Sequence, residues 1–411
     1  MTIAQRPTRP QLLLTQRHDR IAAELGRSTA DGWLIYDFKG SNPAFARLLN
    51  GSSQLQSTRR AFLYIPATGQ PRLLIHHVDA GNFLRLGLNV QSYGGRDEML
   101  QHLTSLLAGA RKVLMEYSPG NAIPYVSRID AGTLELVRSL GVEVLSSADA
   151  LASVVAAWEA ADIDSHVRAA QALERSKDGL FAAIRDRLAS GVTWTEYDAQ
   201  QHLARLLQAE GLEFDHPPIV AVGPHAGDPH YAPGPDVALP IGSGDLVLID
   251  LWAREARRAD GAVGAYADIT WMATASTTVP GEQARVWDAV RAARDAAVRF
   301  LDERIAAGQD VQGGEVDRVA RDVISRAGYA SAFTHRTGHS IGWQGAHGDG
   351  VNIDDFETHD TRLLRPGASF SIEPGIYLPE FGVRSEINVV ITPSGVVKVT
   401  TPPQRDLVRL V

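Results

Sequence analysis

Five side chains in the C-terminal half of the sequence are of the types, and in the settings, that hold divalent metal ions. Asp250 ends the run Leu246-Val247-Leu248-Ile249, which reads as a buried strand. An ionised carboxylate there carries a desolvation cost unless something neutralises it. Asp268 lies in a second strand-like segment, Ala265-Tyr266-Ala267-Asp268-Ile269-Thr270, and the polar turn Arg257-Arg258-Ala259-Asp260-Gly261 stands between the two. A hairpin would set the strands side by side and let the two carboxylates converge. Like charges held close repel, so a convergent pair needs a shared proton or a cation. The plainer alternative is that each aspartate caps its strand or pairs with an arginine such as Arg254.

His339 shifts the balance toward a cation. It sits in His335-Arg336-Thr337-Gly338-His339-Ser340-Ile341-Gly342, where glycines allow a tight turn and leave the imidazole unobstructed. A lone histidine is more often a satisfied core residue than a ligand, but His335, His339 and His347 fall within 13 residues. Glu373 follows an apolar stretch in Phe370-Ser371-Ile372-Glu373-Pro374-Gly375, and Glu386 opens what reads as a buried strand, Ile387-Asn388-Val389-Val390-Ile391. A Pro-Gly turn is common, and either glutamate alone would say little. Together the residues give four carboxylates and one imidazole. Two divalent cations would balance the carboxylates in charge, and such a pair can generate a hydroxide nucleophile and polarise a carbonyl.

The elements that must position these groups follow from periodicity. In the first 150 residues, candidate strands at 33–36, 61–65, 72–76, 112–116 and 142–145 alternate with amphipathic stretches at 96–108 and 126–140, an α/β pattern without a catalytic cluster. From 147 to 189 the sequence turns helical and Ala-rich, so a domain boundary belongs near 150–160. A second helix covers 195–210, with Gly211 where a C-terminal cap would sit. Strands follow at 218–222, 245–251 and 265–272, then helices at 281–307 and 315–327. Val286, Val290, Ala293, Ala297, Leu301 and Ile305 give the first of these helices one buried stripe. The tail returns to strands at 369–373, 384–391 and 396–399.

Composition narrows the chemistry further. The 411 residues are 44% apolar and 21% charged, an ordinary globular balance, and two domains are expected at this length. A net charge of −8 argues against binding a phosphate backbone, so no nucleic-acid partner is expected. There is no cysteine, which excludes disulfides and thiolate ligands and leaves oxygen and imidazole donors. No apolar run approaches the roughly 20 residues of a membrane span. The start, MTIAQRPTRPQLLL, has no long apolar core or clear cleavage site, and a cytoplasmic protein is expected.

The stretches GPHAGDPHY, LVLIDLW, GAYADIT, HRTGHSIG, SIEPGIY and FGVRSEINVVI occur in the order found in the pita-bread metallopeptidases, which include methionine aminopeptidase, aminopeptidase P and prolidase. Residues 215–392 resemble that family. The N-terminal half is similar, in length and pattern only, to the smaller domain of prolidases and aminopeptidases P. The resemblance implies an α/β N-terminal domain at 1–155 and an α+β pita-bread (creatinase/aminopeptidase-like) catalytic domain at 156–411. It implies that Asp250 binds one ion, that Asp268 and Glu386 bridge both, and that His339 and Glu373 hold the other, with Glu373 also shuttling a proton. His230 matches a histidine lining the substrate site, and Arg384 an arginine supporting the bridging carboxylate. The implied activity is cleavage of Xaa-Pro bonds in dipeptides or short peptides by a metal-activated hydroxide, in a homodimer. Oxygen-rich ligation with one histidine leans toward Mn, with Co, Zn or Fe as alternatives.

The pattern departs from the family at three points. The second active-site histidine usually lies seven residues after the ligand histidine; here position 346 is Ala and the role passes to His347. The turn between Asp250 and Asp268 is longer than usual. Where prolidases often place an arginine to meet a substrate carboxylate, this sequence has His359, with Arg362 three residues on. Aminopeptidase P activity on longer Xaa-Pro peptides and metal-dependent action on a non-peptide small molecule are the alternative activities. A creatinase-like amidinohydrolase is disfavoured because all five ligands are present, and a non-enzymatic binding protein because there is no basic tail.

Overall fold

A strand whose every residue is buried must lie between two layers, and β1 (Gly32–Asp37) is such a strand. Its alternate side chains serve two cores. Trp33 and Ile35 pack with Phe45, Leu63 and Leu73 on one face, while Leu34 and Tyr36 pack with Phe62, Leu74 and Val113 on the other. The computed structural model describes residues 12–49 and 57–411. The first eleven residues of the N-terminal stretch considered above as a leader lie outside the described part.

The chain divides into two units, Met1–Val155 and Ala156–Val411. The first is built on a six-stranded sheet. In addition to β1 it contains β2 (Ala61–Pro66), β3 (Arg72–His76), β4 (Asn89–Tyr93), β5 (Lys112–Met115) and β6 (Glu143–Ser146), in the order β4-β3-β2-β1-β5-β6. The expected strands are all present. The edge strand β4 was not expected, because its residues are largely exposed and lack an apolar run. The helix expected over 126–140 is Ala131–Ser139, its start fixed by Asp130, whose carboxylate accepts from Thr133 N–H at 2.9 Å.

In the second unit, the long helix begins at Ala160 rather than near 147. A capping box between Glu159 and Asp162 sets that start, and Gly191, at φ 70°, ends the helix at Ser190. The helix Glu196–Ala209 follows. The strand Leu246–Glu255 pairs antiparallel with Tyr266–Thr274 on one side and with Ile219–Val222 on the other. Both strands run further than the sequence indicated, because the ladder continues through polar residues such as Arg254. The helices Gly281–Ala306 and Gly313–Arg326 come next, and the first buries the expected stripe except for Ile305, half-exposed at its end.

The single strand expected over 384–391 is two. Gly382–Arg384 pairs with Gly375–Tyr377, whereas Ile387–Ile391 pairs with Ser369–Ile372 and Val397–Val399. Ser385 and Glu386 occupy the crossing between them, where Glu386 N–H donates to Thr270 O at 3.2 Å. Among the described residues no helix is long and apolar enough to cross a membrane.

Candidate metal centre

The hairpin register explains why two aspartates converge. Asp250 lies opposite Thr270, and Trp252 lies opposite Asp268. Side chains alternate along a strand, so Asp250, Asp268 and Thr270 share one face. The intervening Ile249, Leu251, Ala267 and Ile269 point the other way into the apolar core formed with the long helices. The core face thus fixes which carboxylates face the site. Thr270, fully buried, sits between two acids, with its hydroxyl 3.1 Å from Asp250 Oδ1 and 3.0 Å from Glu386 Oε2.

A second layer brings the remaining ligand types. Gly338 crosses Ser371 so closely that a Cβ there would lie 2.0 Å from Ser371 O, which only glycine permits. This crossing lets Ser371 Oγ accept from His339 N–H (2.9 Å) and donate to Glu373 Oε1 (3.0 Å). His339 Nδ1 donates to Ser340 O at 3.0 Å, which leaves the Nε2 lone pair directed at the acids. Nε2 lies 3.5 Å from Asp268 Oδ2 and 3.5 Å from Glu373 Oε1. Donor atoms about 2.1 Å from a common ion are separated by roughly 3–3.5 Å, so this spacing is that of shared ligation.

Charge balance is the test of fit. Asp268, His339 and Glu386 are buried and offer ligand atoms within 4.8 Å of one another. Asp268 Oδ1 and Glu386 Oε1 are buried without a hydrogen-bond partner. Leaving a carboxylate buried and uncompensated costs several kcal/mol, and Arg384 alone cannot balance four. Its guanidinium donates to Asp250 Oδ2 (2.5 Å), Thr270 Oγ1 (2.9 Å) and Tyr377 Oη (3.0 Å), with Glu373 Oε2 at 3.9 Å.

Without a cation, the acids would have to hold protons. Burial, and then the neighbouring acids, push Glu386 well above the usual carboxylate range. Burial likewise raises Asp250 and lifts Asp268 to about 7. Glu373 moves the other way: burial raises it, but the charges of His339, His335 and Arg384 outweigh that. The donor set, with two orphaned oxygens and a histidine in the ligating tautomer, fits divalent metal.

The other expected site residues are dispersed. His347 is exposed, and its ring lies tilted against that of His339, 3.9 Å between centroids. Arg336 Nη2 lies 3.5 Å from its Nδ1. In the metal-free protein, where His339 is protonated beside Asp268, the charges of His339 and Arg336 hold His347 down at about 3. His230 is exposed, in a turn where its N–H donates to Asp228 Oδ1 at 3.0 Å. His359 lies at the surface, 2.8 Å from Asp355. Arg362 is buried against Asp360 (2.6 Å), and its Nη1 donates to Asp349 O (3.1 Å).

Residues 164–393 match metallopeptidase family M24. The chain belongs to that family. Over 368 residues it is 29% identical to the probable dipeptidase PepE of Mycobacterium tuberculosis, covering 88% of each chain. Over 234 residues it is 32% identical to the Xaa-Pro dipeptidase of Lactobacillus helveticus, covering 56% of each. The crystal structure of dipeptidase PepE from Mycobacterium ulcerans matches with a TM-score of 0.69 at 26% identity, covering 97% of this chain and 98% of that one. As an M24 member the chain is a metallopeptidase with the family's architecture, an α/β N-terminal domain and a pita-bread catalytic domain.

Arg384 binds Asp250 and reaches Glu386 through the Thr270 hydroxyl. Arg362 is not available to a substrate carboxylate, because three of its hydrogen bonds go to Asp360 and a fourth to a backbone carbonyl. Arg254 pairs with neither aspartate: it donates to Trp343 O and lies 3.5 Å from Glu213. The sequence reading also missed Thr270, Ser371 and Tyr377. Strand alternation carried a signal for Thr270, two residues from Asp268. Tyr377 had none, since its hydroxyl meets His335 Nε2 (2.7 Å) through tertiary folding.

Proposed function

We propose that this metallopeptidase is a two-metal Xaa-Pro dipeptidase, with Asp250, Asp268, His339, Glu373 and Glu386 as ligands and Mn as the favoured metal. The observation that carries the reading is the buried Asp268–His339–Glu386 cluster, with unpartnered oxygens on Asp268 and Glu386 and with Glu373 Oε1 3.5 Å from His339 Nε2. Divalent ions held there would supply an acidified water and polarise the scissile carbonyl. Glu373 stays ionised among its cationic neighbours, so its carboxylate can take the proton of the attacking water and pass it to the leaving nitrogen. Arg336 faces His347 Nδ1, which assigns the proton of the neutral ring to Nε2 and makes that atom a donor to the developing oxyanion. His230 lines the other side of the substrate.

A dipeptidase must meet a free carboxylate next to proline. Arg384 and Arg362 are buried and committed to Asp250 and Asp360, and His359 pairs with Asp355 at the surface. The name of the Lactobacillus helveticus relative supports Xaa-Pro specificity. The test is kcat/KM for Ala-Pro against Ala-Pro-Ala. Ala-Pro should be preferred. A preference of about tenfold or more for the tripeptide, about 1.4 kcal/mol, would move the assignment to aminopeptidase P.

A further inference from the structure

Four hydrogen bonds converge on one carboxylate outside the acidic cluster. Glu196 opens the helix Glu196–Ala209 and is fully buried. Its Oε1 accepts from Val222 N–H at 2.7 Å. Its Oε2 accepts from the Tyr231 hydroxyl (2.6 Å) and Leu239 N–H (2.8 Å), and lies 2.8 Å from His225 Nδ1. All four partners belong to the segment 222–239, which leaves the strand Ile219–Val222 and carries Pro229-His230-Tyr231. Its end is tied back to the helix start, because Glu196 N–H donates to Leu239 O at 2.9 Å.

Apolar burial holds this segment only at Val222, Ala226, Tyr231 and Pro233, while Val237 and Leu239 are exposed. Its conformation depends on polar anchors, and a buried acceptor with several donors is a strong one. The other anchor lies at 226–227. A Cβ on Gly382 would fall 1.7 Å from Ala226 O, and one on Gly227 would fall 2.5 Å from Leu378 O. Gly382 begins the strand that ends at Arg384, the partner of Asp250. His225 and Tyr231 stack at 4.1 Å, and His230 lies between Tyr231 and Asp228, both of which are fixed.

We propose that Glu196 is the positioning residue for His230: its carboxylate gathers the loop 222–239 and sets where that imidazole meets the substrate. The proposal rests on the reading that His230 lines the substrate site. Glu196→Gln keeps the size but leaves one acceptor oxygen and turns an NH2 toward groups that are themselves donors.

Two readouts test it, with Mn-loaded protein. Hydrogen exchange of 222–239 should accelerate by about tenfold or more in Glu196→Gln, while 246–251 and 266–272 stay unchanged. Unchanged exchange in the loop overturns the proposal whatever the activity. kcat/KM for Ala-Pro should fall by about tenfold in Glu196→Gln, mainly through KM, and should fall no further when Glu196→Gln is added to His230→Ala. An equal loss in both backgrounds overturns the link to His230. Should Glu196→Gln not fold, Tyr231→Phe, which deletes one donor, is expected to give the same pattern at a smaller amplitude. A wild-type protein that leaves Ala-Pro uncut overturns the Xaa-Pro dipeptidase reading, and the exchange result then decides alone whether Glu196 fixes the loop.

Discussion

At the scale of single residues, protonation and tautomer separate groups that the sequence leaves equivalent. Three histidines lie close together in the chain, yet only His339 presents a lone pair to the acids. His335 is engaged at both nitrogens, by Arg336 O (2.6 Å) and Tyr377 Oη (2.7 Å), so it is not free to polarise a carbonyl. His347 is exposed and neutral. His347→Ala should therefore lower kcat by about 10²-fold, as for loss of an oxyanion donor, with metal content unchanged. A variant with near-normal kcat would remove His347 from the mechanism. The five candidate ligands could be read from the sequence because a charge at the edge of an apolar strand needs a reason. The state of Arg362 could not, because its commitment to Asp360 arises from a local loop that no periodicity records.

At the scale of elements, the site depends on where chain segments cross. The pairing of Leu246–Glu255 with Tyr266–Thr274 was legible from two apolar strands flanking a polar turn, and with it the shared face of Asp250 and Asp268. The break at Ser385–Glu386 was not, since no Gly or Pro marks the point where the partner strand changes. Nor was β4, an edge strand whose side chains are mostly exposed. The crossing that sets His339 is at Gly338, where any side chain meets Ser371 O. Gly338→Ala should cost about 1–3 kcal/mol or more through overpacking and weaken metal binding by displacing His339. Thermal unfolding and metal titration check this, and wild-type values for both would count against the crossing as the device that sets His339.

At the scale of the whole molecule, the cluster couples folding to pH and metal. The folded protein stripped of metal raises Asp268 from 3.8 to about 7 and raises Asp250 and Glu386 with it. Between those values the folded state binds protons that the unfolded chain has released. The cluster's contribution to the stability of the stripped protein is then fully present below pH 3.8 and is lost as the pH rises through about 7, with Glu373, shifted the other way, offsetting part of the loss. Divalent metal replaces those protons. Added Mn should therefore raise the unfolding temperature more at pH 8 than at pH 5, and an equal rise at both would contradict the coupling.

The central claim is that the cluster binds two ions and that hydrolysis requires them. The direct measurement is Ala-Pro hydrolysis by chelated protein as Mn is added back, with bound metal counted by elemental analysis in the same samples. Chelated protein should be inactive, and activity should climb to a plateau as bound metal reaches about two ions per chain. Full activity in protein that holds no metal would contradict it.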